Sequence, residues 1–147
     1  MVLLDGKKIA DEILANLKTR GKKIKLAVIL VGEDSASLIF FEQKRKACEK
    51  VGIDFELFKF SAEIGSLLLK EEIKKIIGDP KNSGVIIQLP LPEQFNTGEF
   101  LNLIPEEKDV DVLSEKSFGK FSRGESLILP PTVGAISVLF KSYKIEI

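Results

Sequence analysis

Histidine is absent from this 147-residue chain, and cysteine occurs once, as Cys48. Without an imidazole the chain cannot assemble a Ser-His-Asp or Cys-His nucleophile, a histidine metal site or the usual proton shuttle near neutral pH. A lone cysteine excludes an internal disulfide and any zinc site built on several thiolates. Acid-base chemistry therefore falls to lysine, aspartate, glutamate or the single tyrosine, Tyr143. A net charge is missing too: 22 basic residues balance 22 acidic ones. No chain-wide field draws nucleic acid or an anionic membrane, so neither is an expected partner. The longest apolar run is far shorter than a bilayer span. The start, "MVLLDGKKIADE", becomes charged after four residues instead of building a signal-peptide core, so the cytoplasm is the expected location. No GxGxxG, Walker loop or metal-ligand spacing appears, so no nucleotide or metal site is expected within this chain.

What is present is a balance of 44% hydrophobic and 30% charged residues, typical of a soluble globular protein. The length fits one domain, expected to span residues 1–147. In "GKKIADEILANLKTR", residues 6–20, Ile9, Ile13, Leu14 and Leu17 recur at helical spacing. "KLAVILVG" is a continuous apolar run, as in a strand covered on both faces. Asp34 and Ser35 are N-cap candidates for the next helix, which extends through "SLIFFEQKRKACEKVGI". "GIDFELFKF" reads as a second strand, "SLLLKEEIKKIIGDP" as an amphipathic helix and "SGVIIQLPLP" as a third strand running into prolines. This alternation predicts an α/β layered domain, a mainly parallel sheet flanked by helices with right-handed crossovers. A short helix at "TGEFLNLI", an acidic turn at "PEEKDVDVLSE", a hairpin around "KFSRGESLILP" and a last helix from "PTVGAISVLFKSY" complete the expected order.

Lys44 stands out on the second helix. At about 100° per residue, with Phe40 at zero, Phe41, Ala47, Cys48 and Val51 share one side, and Lys44 falls among them at roughly 40°. Helical geometry leaves two readings open. The side chain could snorkel, its stem covering apolar surface and its tip reaching water. Alternatively it could be a partly desolvated amine able to exchange a proton. Ligands in open parallel sheets bind beyond the carboxyl ends of strands, and Gln88 interrupts the apolar run "GVIIQLPL" at such an end. A buried amide there needs a partner, which a ligand or a lysine could supply. Glu106, Glu107, Asp109 and Asp111 form an acidic cluster that by itself reads as a solvated loop. Cys48 reads as a small buried hydrophobe.

Taken together, these segments resemble the catalytic domain of the bifunctional methylenetetrahydrofolate dehydrogenase/cyclohydrolase family. "VGEDSASLIFFEQKRKACEKVGI" is similar to that family's VGxDPASxxYVxxKxKACxxxGI, "GVIIQLPLP" to its GxxVQLPLP and "KDVDVLS" to its KDVDG loop. "PPTVGA" resembles its PCTPxG segment more weakly. The resemblance implies that Lys44 is the general acid/base of cyclohydrolysis, that Gln88 hydrogen-bonds it, and that Asp111 accepts hydrogen bonds from the pterin. It also implies a folate-binding surface of Phe40, Ser37, Leu89, Pro90, Pro130 and Thr132, with Phe40 packed on the aminobenzoyl ring. The implied substrates are tetrahydrofolate derivatives: oxidation of the 5,10-methylene form with NADP, then hydrolysis of the 5,10-methenyl form to 10-formyltetrahydrofolate. The resemblance implies a homodimer for full-length members of the family.

Departures accompany the matches. Phe40 stands in place of a tyrosine, Val112 in place of the glycine after KDVD, and Ser35 in place of the proline of DPAS. Pro131 and Val133 replace the cysteine and second proline of PCTP. Altered folate geometry and weakened cyclohydrolase activity are expected from these changes. Family members continue past the equivalent of "YKIEI" into a dinucleotide-binding domain, so the NADP site is expected outside this chain and no hydride transfer is expected from it alone. An exposed apolar patch is expected where further segments would pack. The rival readings are a non-catalytic folate-binding or assembly module and an unrelated flavodoxin-like domain.

Overall fold

The structure is a computed structural model. It describes residues 3–17, 23–32 and 35–146, with the backbone alone for 35–38. Strands β1 (Lys25–Val31), β2 (Asp54–Phe60) and β3 (Gly84–Ile87) form one parallel sheet in the order β2-β1-β3. Helices α1 (Gly6–Leu17), α2 (Ser35–Val51) and α3 (Ser66–Gly78) alternate with them. Helices α4 (Thr97–Leu101), α5 (Glu115–Ser122) and α6 (Pro131–Ser142) follow. The expected layered α/β architecture with a parallel sheet is the one observed.

β1 lies in the middle because its side chains can be buried on both faces. Ala27, Val28 and Ile29 are fully buried, as the unbroken apolar run requires of a central parallel strand. Strand alternation then divides the interior into two cores. Ala27, Ile29, Val31, Val85 and Ile87 pack with Leu69, Ile73 and Ile76 of α3 and with Phe100 and Leu101 of α4. On the other face Val28 and Ile86 meet Phe41 of α2, with Leu26, Phe55 and Leu57 against them. Phe41 and Phe55 touch edge to face with ring centroids 5.1 Å apart, the arrangement that aromatic quadrupoles favour.

β3 is shorter than its apolar run. Gln88 N–H still donates to Ile29 O at 2.8 Å, but Pro90 and Pro92 lack the N–H that would extend the ladder; the Leu89–Pro90 peptide is cis. The hairpin expected around Lys120–Pro130 is not there. Residues Glu115–Ser122 form α5, and the chain leaves it through turns and bends. The reason is a cap: Ser114 Oγ accepts from Ser117 N–H, with Glu115 in the first turn where the helix dipole favours an anion. Of the N-cap candidates before α2, Asp34 lies outside the described residues, and so does the side chain of Ser35. The last residues of the expected first helix, 18–20, lie outside them as well.

The KDVD loop is the connection that matters for the site. It follows a 3-10 turn at Glu106–Lys108 and runs beside β3, with Asp109 bridging Val85 in parallel. Lys108 Nζ donates to Ile77 O at 2.6 Å and Asp79 O at 3.0 Å, at the C-terminal end of α3. Asp109 is buried, 2% exposed. Its carboxylate accepts from Leu113 N–H at 3.2 Å and Ser114 N–H at 2.9 Å. Burial pushes this carboxyl up, but the hydrogen bonds from Ser114, Ser117 and Leu113 outweigh it and hold the group below the usual aspartate range. Val110 lies against Gly84, where a Cβ would come within 2.7 Å of Val110 Cγ1 and 3.4 Å of Leu26 Cδ1. Val112 takes φ 57°, a region costly for a β-branched residue. That is the position at which the resembled family has glycine, and here the valine side chain is 1% exposed.

Two outcomes follow from this packing. Gly84→Ala should lower stability by about 1–3 kcal/mol through overpacking against Val110, read as a lower urea midpoint; an unchanged midpoint would contradict the close approach. Asp109→Asn should cost about 1–3 kcal/mol at neutral pH. Because the folded carboxyl titrates below its unfolded value of about 3.9, its contribution is full above that pH and is lost as pH falls through the lowered folded value. The gap between variant and parent in urea unfolding should therefore narrow from pH 7 to pH 3, and an equal gap at both would refute the assignment.

Candidate functional site

Three segments distant in sequence converge at the carboxyl end of the sheet. α2 brings Lys44, the residue following β3 is Gln88, and the KDVD loop brings Asp111. Lys44 Nζ donates to Gln88 Oε1 at 3.2 Å and stands 3.6 Å from Asp111 Oδ2. Gln88 is 8% exposed, and its Nε2 donates to Leu89 O at 3.0 Å. Its amide is thereby oriented with the oxygen toward the lysine. The side chains of Lys44 and Asp111 keep 31% and 22% of their exposure. The ammonium is therefore held by the protein on one side and reachable from the other. Gln88 Oε1 takes one of its three N–H groups, and Asp111 lies at ion-pair distance.

Helical geometry left a snorkelling tip and a desolvated amine open for Lys44, and the structure gives it partners while leaving it partly exposed. Its tip lies against an amide and a carboxylate instead of reaching freely into water. The same helix corrects one expectation: Phe40, placed by angle with the buried residues, is 62% exposed, whereas Phe41 is 9% exposed. The sheet-facing direction of α2 is centred nearer Phe41 and Cys48, and Phe40 stands one turn before Lys44 as an exposed ring on the same helix. Cys48 is buried, and burial pushes its thiol up, which makes it a poor nucleophile.

The other expected residues are distributed more widely. Leu89 is half-buried against the larger core and Pro90 is exposed beside Gln88. Pro130 precedes α6 and Thr132 is exposed in its first turn; among the described residues no hydrogen bond or ion pair joins them to Lys44, Gln88 or Asp111. The side chain of Ser37 lies outside the described residues. Tyr143 Oη accepts from Asp5 N–H at 2.7 Å, tying the end of α6 to the start of α1.

The acidic cluster separates into four different environments. Glu106 pairs with Lys120 at 2.6 Å and Lys116 at 3.4 Å, which hold its carboxyl below the usual range. Glu107 is exposed, Asp109 closes the turn and Asp111 faces Lys44. Sequence reasoning missed Lys108 and Asp109 as the two residues that fix this loop. The available signal was Ser114 followed by Glu115, a helix start that required an ordered turn before it. A hollow of about 390 Å³, lined by Glu106, Asp109, Val112, Ser117 and Ser126–Ile128, lies beside the loop and includes none of the Lys44, Gln88 and Asp111 side chains. Among the described residues no group of three or more acidic or thiol side chains could hold a metal ion, and no helix is long and apolar enough to cross a membrane.

Known proteins place this arrangement in context. The family model described as the tetrahydrofolate dehydrogenase/cyclohydrolase catalytic domain matches residues 4–111. A bifunctional protein FolD from Christiangramia forsetii is 37% identical over 153 aligned residues, covering 99% of this chain and 51% of that protein. The crystal structure of the bifunctional enzyme FolD, a methylenetetrahydrofolate dehydrogenase/cyclohydrolase from Campylobacter jejuni, superposes with a TM-score of 0.92 at 35% identity, over 99% of this chain and 54% of that one. The Trypanosoma brucei methylenetetrahydrofolate dehydrogenase-cyclohydrolase, solved with NADP cofactor and inhibitor, gives a TM-score of 0.91 at 25% identity, over 99% of this chain and 53% of that one. The chain spans about half the length of the relatives it matches. By sequence and by fold, the chain belongs to the tetrahydrofolate dehydrogenase/cyclohydrolase family, matching its catalytic domain.

Proposed function

We propose that residues 1–147 form the folate-binding catalytic domain of a bifunctional enzyme that oxidises 5,10-methylenetetrahydrofolate and hydrolyses 5,10-methenyltetrahydrofolate to the 10-formyl form. The observation that carries this reading is the Lys44 ammonium held between Gln88 Oε1 and Asp111 Oδ2. It lies at the strand ends where parallel sheets receive ligands, in a chain of this family. In the hydrolysis, water attacks the cationic bridging carbon and releases a proton. The bond from that carbon to N5 then breaks as N5 takes up a proton and the new hydroxyl gives one up, leaving the formyl C=O on N10 and one proton released overall. Lys44 is the group that moves these protons, and Gln88 aims its Nζ. Asp111 accepts from the pterin ring, a charge-assisted contact, and the exposed Phe40 ring stacks on the aminobenzoyl group. Leu89, Pro90, Pro130, Thr132 and Ser37 complete the substrate surface in this reading.

NADP belongs to the length of the relatives that this chain does not span. The residues here do not fit it: the described strand-to-helix connection after β2 contains Glu63, and the sequence carries no GxGxxG there or after β1. A carboxylate at such a turn disfavours the pyrophosphate that a glycine-rich one holds. The hydride step is accordingly not assigned to residues of this chain. A cytoplasmic location is read from the charged start of the sequence, and a homodimer from what the family resemblance implies for its full-length members.

A second reading, a module that binds folate without turning it over, is favoured by Phe40, whose ring lacks a hydroxyl. One experiment separates the two: the absorbance decay of 5,10-methenyltetrahydrofolate is followed with the chain, alongside a binding titration. Catalysis predicts accelerated decay that Lys44→Met reduces by about 10²- to 10⁴-fold while the variant stays folded. Binding without acceleration would favour the module, and retention of most activity in Lys44→Met would remove the lysine from its assigned role.

A further inference from the structure

We propose that Lys108 is a positioning residue for the folate site, its ammonium fixing the loop that sets Asp111 against Lys44. The inference rests on the reading of Asp111 as the pterin anchor. The last carbonyls of a helix lack intrahelical partners and carry the negative end of its dipole. Lys108 Nζ meets two oxygens there, Ile77 O at 2.6 Å and Asp79 O at 3.0 Å, from a position 29 to 31 residues further along the chain. The next residue, Asp109, fastens the loop in the other direction through Leu113 N–H and Ser114 N–H, at the start of α5. Val110 then seats on Gly84 of β3. Asp111 follows directly, so its position is set by anchors to α3, α5 and β3. Its Oδ2 comes within ion-pair distance of Lys44 as a result.

The plainer account makes Lys108 only a cap that stabilises α3. α3 has a lysine of its own near that end, but Lys75 pairs with Glu72 at 2.6 Å. The capping cation comes instead from the loop carrying Asp111. A cap alone would change how well the protein folds and not how well it recognises folate, so the two accounts differ in a coupling measurement.

The test uses the full chain and 5,10-methenyltetrahydrofolate as probe, at a temperature where circular dichroism shows every variant folded. Dissociation constants are measured for the parent, Lys108→Met, Asp111→Asn and the double variant. Displacement of a positioned group by about 1 Å can cost up to about 100-fold. Lys108→Met should therefore weaken binding by about 10- to 100-fold in the parent and by less than about threefold in the Asp111→Asn background. Equal losses in both backgrounds, or a lowered Tm with unchanged binding, would overturn the proposal. Should Lys108→Met not fold, Lys108→Arg, which keeps the charge and displaces the donors, is judged in the same two backgrounds by the same criterion. A parent chain that neither binds nor hydrolyses the probe would instead refute the folate reading, and this inference with it. A parent that binds, beside a Lys108→Met that binds equally well, refutes this inference alone.

Discussion

An ammonium group carried on the inward stripe of a helix lowers stability unless acceptors meet it, because desolvation disfavours the charge. The acceptors that meet Lys44 come from beyond the end of β3 and from the KDVD loop. Neither lies on its own helix, so the contact exists only when α2, β3 and the loop are all in register. The parallel pairing of β3 with β1 fixes Gln88, whose N–H continues the ladder to Ile29 O. The loop fixes Asp111 through Lys108, Asp109 and Val110. The site is thus assembled by tertiary structure rather than by any local motif.

The interior that supports this contact is unevenly distributed. The sheet, α3 and α4 hold most of the buried apolar residues, in a core that β1 divides. α1 and α6 contain no buried residue, and they leave Ile13, Leu17, Val133, Ile136 and Val138 exposed. Their mutual attachment includes the Asp5 N–H to Tyr143 Oη hydrogen bond. Lys44 faces the carboxyl end of the sheet, where Gln88 is buried and held by its contacts to Ile29 O and Leu89 O, while the Lys44 and Asp111 side chains keep partial exposure. Phe40 faces outward, so a flat ligand could cover it without disturbing either core.

Much of the fold was legible in the sequence for a simple reason. Long runs such as "KLAVILV" and "SLLLKEEIKKII" carry a periodicity that propensity and burial both support. The exposed Phe40 was misplaced because a helical wheel gives relative angles but not the direction of the sheet. That direction depends on which neighbour, here Phe55, receives Phe41. The hairpin expected at 120–130 failed because a serine cap starts a helix that runs through Ser122, so that Arg123 and Gly124 make the turn that ends this helix instead of joining two strands. In the site, Lys44 and Gln88 were visible as polar residues in apolar patterns. The acidic cluster could not be sorted from composition. Glu106, Asp109 and Asp111 are chemically similar, and only the fold gives one to two lysines, one to backbone amides and one to Lys44. The positive φ of Val112 was likewise invisible, since a β-branched residue ordinarily avoids that region.

The central claim is that Lys44, Gln88 and Asp111 act on one folate molecule. A crystal structure of the chain with 5-formyltetrahydrofolate, which resists the hydrolysis, tests it most directly. The account predicts the pterin within hydrogen-bond distance, about 3 Å, of the Asp111 carboxylate and the N5 substituent within the same reach of Lys44 Nζ. A folate seated in the hollow beside Ser126–Ile128, with the Lys44 to Asp111 pair untouched, would contradict it.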